Sequence, residues 1–143
     1  MPVITQIADA VVATLNVATL SQPVTATRAY LPRVEVSELK TLKVTVVPSS
    51  VVNASASRSQ SQQDVAIDVA IQQKLGNELN ATLDPLLALA EEIGELFRAK
   101  RLDTFPLAAC IKTEFKTIYA PEHIENLRTF TSVLTLTFRV VGG

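Results

Sequence analysis

Positions 130–141 read Phe-Thr-Ser-Val-Leu-Thr-Leu-Thr-Phe-Arg-Val-Val. Leu134, Leu136, Phe138 and Val140 fall on one side, and Thr135, Thr137 and Arg139 on the other. Period-two alternation in β-branched and aromatic residues predicts a half-buried strand. Positions 64–73 repeat the pattern, with Val65, Ile67, Val69 and Ile71 alternating with Ala66, Asp68 and Ala70, and predict an interior strand. At 111–119, Ile111, Thr113, Phe115, Thr117 and Tyr119 alternate with Lys112, Glu114 and Lys116. This predicts a strand with one charged, solvated face, joined by a turn at 120–126 to the antiparallel strand at 130–141. Two looser segments complete the set. One is 24–31, ended by Pro32, and the other 41–47, stopped by Pro48, because proline cannot donate to a ladder. Positions 33–39 read as a connection with at most one helical turn.

Two segments carry the helical period instead. Ile4, Ile7, Val11, Leu15 and Ala18 share one face over 3–18, with Asp9 and Asn16 opposite and Pro2 suited to the first turn. Further on, Asp84 suits an N-cap and Pro85 the first helical position. Leu86, Leu89, Ala90, Ile93 and Phe97 line one face, and Leu87 and Leu96 broaden it to about half the wheel. Glu91, Glu92, Glu95 and Arg98 lie opposite, while Lys100 and Arg101 place positive charge at the C-terminal end of the dipole. Gly94 sits near the edge of the apolar arc and costs about 1 kcal/mol against alanine, which points to close packing there.

Between the strands at 41–47 and 64–73 lies the most distinctive local composition. Positions 48–63 are Ser- and Gln-rich, with Arg58 the only charge and no periodic apolar face after Val52. A loop this long in a compact domain is usually functional or disordered. It reads either as a mobile hairpin tip or as a segment that orders only against a partner chain. On the second reading Ser55, Arg58, Gln60 and Gln62 are the candidate partner-contacting residues. The pattern as a whole predicts an α+β fold in one domain spanning 1–143. Its mostly antiparallel sheet has about four to five strands, with two packed helices and a long hairpin loop.

Composition changes this picture mainly by exclusion. Of the 143 residues, 48% are apolar and 19% charged, and the formal charge is −1. That balance gives no long-range field for nucleic acid or anionic lipid. The low charged fraction leaves neutral surface, which suits either contact with partners or an ordinary Thr/Ser/Gln-rich exterior. One cysteine, Cys110, excludes an internal disulfide and any multi-cysteine metal site. No apolar run reaches the roughly 18–20 residues of a membrane span, and the first residues lack a basic n-region. The expectation is a soluble, cytosolic chain without a membrane partner.

No stretch assembles a chemistry. His123, the only histidine, lies in a polar turn between Glu122 and Glu125, where a structural or solvated role is expected rather than a metal site. Cys110, beside Ala108 and Ala109, reads as a small buried hydrophobe rather than a nucleophile. Glu91, Glu92 and Glu95 lie opposite the apolar arc and read as a solvated face. The four glycines form no phosphate-binding loop, and no tryptophan is present for base stacking. The expectation is a non-enzyme with no catalytic residue, cofactor or metal.

Three stretches carry a resemblance: Asp-Val-Ala-Ile-Asp-Val-Ala-Ile-Gln-Gln-Lys from Asp64, Leu-Ala-Leu-Ala-Glu-Glu-Ile-Gly-Glu-Leu from Leu87, and the ending, Tyr119 to Ile124 with Phe130 to Val140. With Arg-Ala-Tyr-Leu-Pro at 28–32, they make the chain resemble the tail-terminator and head–tail joining (neck) proteins of tailed bacteriophages. The resemblance spans nearly the whole chain but rests on no single specific motif. It implies a virion structural protein, made in the host bacterial cytoplasm, that forms a ring, commonly of six subunits. Such a ring stops growth of the tail tube and joins tail to head. The implied partners are further copies of the chain, the tail tube protein and head-side connector proteins, with passive contact to DNA in the lumen. Head-completion and stopper proteins of the same neck are close alternatives. A small-ligand-binding regulatory domain is an alternative of another class.

Overall fold

The computed structural model describes residues 2–30, 42–55, 61–76, 79–98 and 100–141. Among these residues three helices, α1 (Val3–Val17), α2 (Leu79–Phe97) and α3 (Pro121–Leu127), accompany six strands. The strands are β1 (Ala26–Arg28), β2 (Lys43–Ser55), β3 (Ser61–Lys74), β4 (Arg101–Leu102), β5 (Phe105–Thr117) and β6 (Thr129–Val141). They form one sheet in the order β1-β2-β3-β6-β5-β4. The class is α+β, but the sheet has six strands rather than four to five and is mixed, because β1 runs parallel to β2. A parallel neighbour needs a crossover of a dozen or more residues, and 29–42 supplies that length.

The two most regular sequence patterns occupy the centre. β3 and β6 pair along their whole length, from Gln62 opposite Val141 to Lys74 opposite Thr129. Their inward side chains Val65, Ile67, Val69, Ile71, Leu134, Leu136 and Phe138 are fully buried. Ile7, Val11 and Leu15 of α1 and Leu86, Leu89, Ile93 and Phe97 of α2 join them in one core. The Phe97 ring meets Phe138 edge-on, with centroids 6.3 Å apart and planes at 90°, the favoured aromatic geometry.

Both helices lie on one face of the sheet. α2 packs on β6 and β5, while α1 touches β1 and β2 and also β4 and β5. One helix reaches both margins because the sheet is strongly twisted. The two corners holding β1 and β4 therefore fold over α1.

Several expectations are corrected. The strand expected at 24–31 shrinks to Ala26–Arg28. Asn16, expected on a solvated helix face, brackets it: the Asn16 amide oxygen accepts from the Ala26 backbone N–H at 2.7 Å, and the amide nitrogen donates to the Ala26 carbonyl at 3.2 Å. Asp9, on the same face, accepts from Arg28 at 2.7 Å. Pro2 occupies the N-cap position rather than the first turn, and its carbonyl accepts from Thr5 Oγ1 at 3.0 Å.

Pro48 does not stop β2. The strand continues to Ser55 through an irregularity between Pro48 and Ser50. β1 is paired only as far as Val46, so at Pro48 β2 is an edge, where a missing N–H costs no ladder bond. α2 begins at Leu79, well before the expected cap at Asp84, and contains Pro85. Leu83 packs against the core, which helps offset the backbone bond that Pro85 cannot make.

The turn at 120–126 is the short helix α3. It ends in Arg128, whose backbone is left-handed with φ 51°. Arg128 ties this end of the sheet together. Its carbonyl accepts from the Leu75 backbone N–H at 2.7 Å, and its guanidinium donates to the Gly76 carbonyl at 3.1 Å. Arg33 to Leu39, expected as a connection, lie outside the described residues.

Candidate assembly surface

The stretch expected as a loop at 48–63 is largely strand. β2 and β3 remain paired as far as Ser55 opposite Ser61. Only 56–60 lie outside the described residues, and Arg58 and Gln60 are among them. Ser55 is the last residue of β2. Gln62 lies in β3, between Ala54 and Val141. Of the four candidate contact residues, the two that are described, Ser55 and Gln62, thus lie at the far end of one hairpin.

Gln62 sits beside a charge pair. Arg139 donates to both carboxylate oxygens of Asp64, through Nε at 2.9 Å and a terminal nitrogen at 3.0 Å. The guanidinium holds the Asp64 carboxyl below the usual carboxylate range, and the Arg139 value rises in turn. The Gln62 carboxamide, turned with its oxygen toward Arg139, lies 3.1 and 3.2 Å from the same two nitrogens. This cluster lies near the far end of the hairpin, on the face away from the helices.

Other charges on that face are also paired. Asp68 accepts from Thr135 Oγ1 at 2.7 Å and lies 3.5 Å from the Lys116 ammonium. Lys112 and Glu114 stand 2.8 Å apart, which lowers the Glu114 value and raises that of Lys112. The face therefore has local charge and no unbalanced field.

The sheet's margins are incomplete in a regular way. β1 covers β2 only at Val44–Val46, and β4 covers β5 only at Ala109 and Phe105. Among the described residues, no strand flanks β2 over 48–55 or β5 over 111–117. These open half-edges lie at opposite corners of the sheet. Val51 and Val52 are exposed on the β2 half-edge, with Val52 62% exposed, and Ile111 is exposed where the β5 half-edge begins, next to Leu107 and Val141 at the end that β4 covers.

Ile111 was expected to point inward. A register shift between Cys110 and Lys112 turns it out, while Thr113 and Phe115 keep the inward side. This apolar corner, also lined by Arg101 and Arg139, was not legible in the sequence. Only the bulge creates it.

The residues weighed for chemistry are dispersed. His123 Nδ1 is hydrogen-bonded to Thr131 Oγ1 at 2.8 Å, packing α3 onto β6. Cys110 is buried, and burial pushes its thiol value up. Glu91, Glu92 and Glu95 line an open groove with Leu20 and Leu96, and Glu92 accepts from the Ser21 backbone N–H at 2.8 Å. Among the described residues no three His, Cys, Asp or Glu side chains come together as a metal site, and no helix is long and apolar enough to cross a membrane.

A scan against protein-family models finds no match to this chain, and a search of curated proteins finds none either.

Proposed function

We propose that the chain is a structural protein of the tailed-phage neck, a tail terminator that closes the tail tube as a ring of copies and presents the surface to which the head docks. The resemblance of 64–74, 87–96, 119–124 and 130–140 to that family is one support. The observation that carries the reading is the β2–β3 hairpin. It extends past β1 on one side, is nearly neutral, and exposes Val51, Val52, Asn53 and Ala54. A ladder of backbone groups with exposed valines is suited to contact with other protein surfaces. The work of such a protein is assembly, in which no bond is made or broken.

The test is to replace residues 53–63 with Asn-Gly, joining Val52 to Asp64 by a two-residue turn that suits antiparallel strands. The shortened chain keeps every core residue. Added to open phage tail tubes, the full chain caps one end, and the shortened chain folds but fails to cap. Capping by the shortened chain contradicts the role given to the hairpin. Failure of the full chain to cap contradicts the terminator reading.

A further inference from the structure

We propose that copies of the chain join through the two open half-edges of the sheet: residues 48–55 of β2 in one copy pair antiparallel with residues 111–117 of β5 in the next. The inference rests on the ring reading above and names the contact that builds the ring.

Direction is the first argument. In the order β2-β3-β6-β5 every neighbouring pair is antiparallel, so β2 and β5 run in opposite senses. Placing a second copy beside the first in the same orientation, shifted along the strands by about half a strand length so that the two half-edges meet past β1 and β4, sets β5 against β2 antiparallel, the better ladder. The two half-edges have similar lengths. They occupy one diagonal of the sheet, and the β1 and β4 corners that contact α1 occupy the other.

Side-chain chemistry is the second. Exposed edges are normally protected by charge, proline or a bulge. β5 carries Lys112, Glu114 and Lys116 on its open length. Two β5 edges paired antiparallel about Glu114 would set each Lys112 opposite a Lys116, and Glu114 opposite Glu114. Like charges directly opposite are destabilising. The β2 half-edge has the reverse character: after Pro48 it reads Ser-Ser-Val-Val-Asn-Ala-Ser, with no charge. β5 is thus guarded against itself but not against β2, and β2 offers a neutral ladder with exposed valines.

Symmetry is the third. Joining two different edges of one sheet is a heterologous contact, which propagates from copy to copy. The sheet's twist supplies a rotation at each junction, and such a rotation lets the series close. The result is a continuous β-belt with the helices on one side.

Cross-linking tests the contact directly. Val52 and Glu114 are exposed, and both point to the face away from the helices, where Val52 neighbours Asp64 and Glu114 neighbours Thr135. In a Cys110→Ala background, Val52→Cys and Glu114→Cys chains are mixed and treated with a short bis-maleimide. The pairing predicts covalent dimers from the mixture and none from either chain alone. It further predicts a ladder of covalent oligomers from the chain carrying both substitutions. Dimers from either single variant alone, or rings in which the doubly substituted chain gives no ladder, overturn the pairing while leaving the ring reading intact. A ladder built on open filaments supports the pairing and overturns the closed ring. A chain that never self-associates overturns both.

Discussion

Asp64 and Arg139 stand directly opposite each other on β3 and β6, and one guanidinium clamps both oxygens of the carboxylate. The pair sits near the far end of the β2–β3 ladder, on the face away from the helices. Bidentate, charge-assisted bonds of this kind fix geometry as well as attract, and this one lies on the surface we assign to assembly.

Its pH dependence has a definite sign. The folded state holds the Asp64 carboxyl below its ordinary value, so folding favours the ionised form. The resulting stability is complete well above the unfolded value of about 3.9 and is lost as the pH falls through the folded one. Asp64→Asn should therefore be less stable than the parent at pH 7, and the gap should shrink steadily below about pH 4. Urea unfolding of both chains across this range checks it. A gap that does not change with pH would show that the carboxylate's charge plays no part.

The Phe97–Phe138 contact should dominate the core. Both rings are fully buried and meet edge-on. Phe97→Ala removes a large apolar volume between α2 and β6 and should cost about 3–5 kcal/mol in chemical denaturation. A loss below about 1 kcal/mol would mean that α2 is not seated as described.

Gly94 invites a stabilising change. The sequence pattern points to tight packing there, but a Cβ at this position would meet only the Phe115 ring, at 3.7 Å, an ordinary contact. Gly94→Ala should therefore raise stability by up to about 1 kcal/mol through helix propensity and added burial. A lower melting temperature would contradict this account of the helix–strand spacing.

Cys110 is both buried and shifted toward its neutral thiol, and thiolate is the reactive form. The folded chain should react with a thiol reagent only as fast as it opens, while the denatured chain reacts at once. Rapid labelling of the native protein would place Cys110 on the surface.

The parts of the fold legible in the sequence are those where one period runs without interruption. β3, β6 and the apolar stripes of α1 and α2 belong to this class, because burial on one face dictates their spacing. The errors arise where tertiary context overrides a local rule. Pro48 reads as a stop, yet β2 is unflanked there and tolerates it. Pro85 reads as a helix start, yet Leu83 finds the core one turn earlier. Ile111 reads as inward, yet a bulge reverses it. The two-residue β4 and the three-residue β1 are too short to leave any periodicity. The hairpin end was legible as composition, since Ser and Gln runs mark an unusual surface. The β5 half-edge was not, because an open edge is a property of the sheet's order and not of any one strand.

The central claim, that copies of this chain form a closed ring, is tested most directly by its mass in solution. Light scattering at several protein concentrations, with negative-stain images of any large species, supplies the measurement. The account predicts a discrete assembly near six subunits that appears in images as closed rings with a central opening. A single-subunit mass at every concentration, or open-ended aggregates without rings, would contradict it.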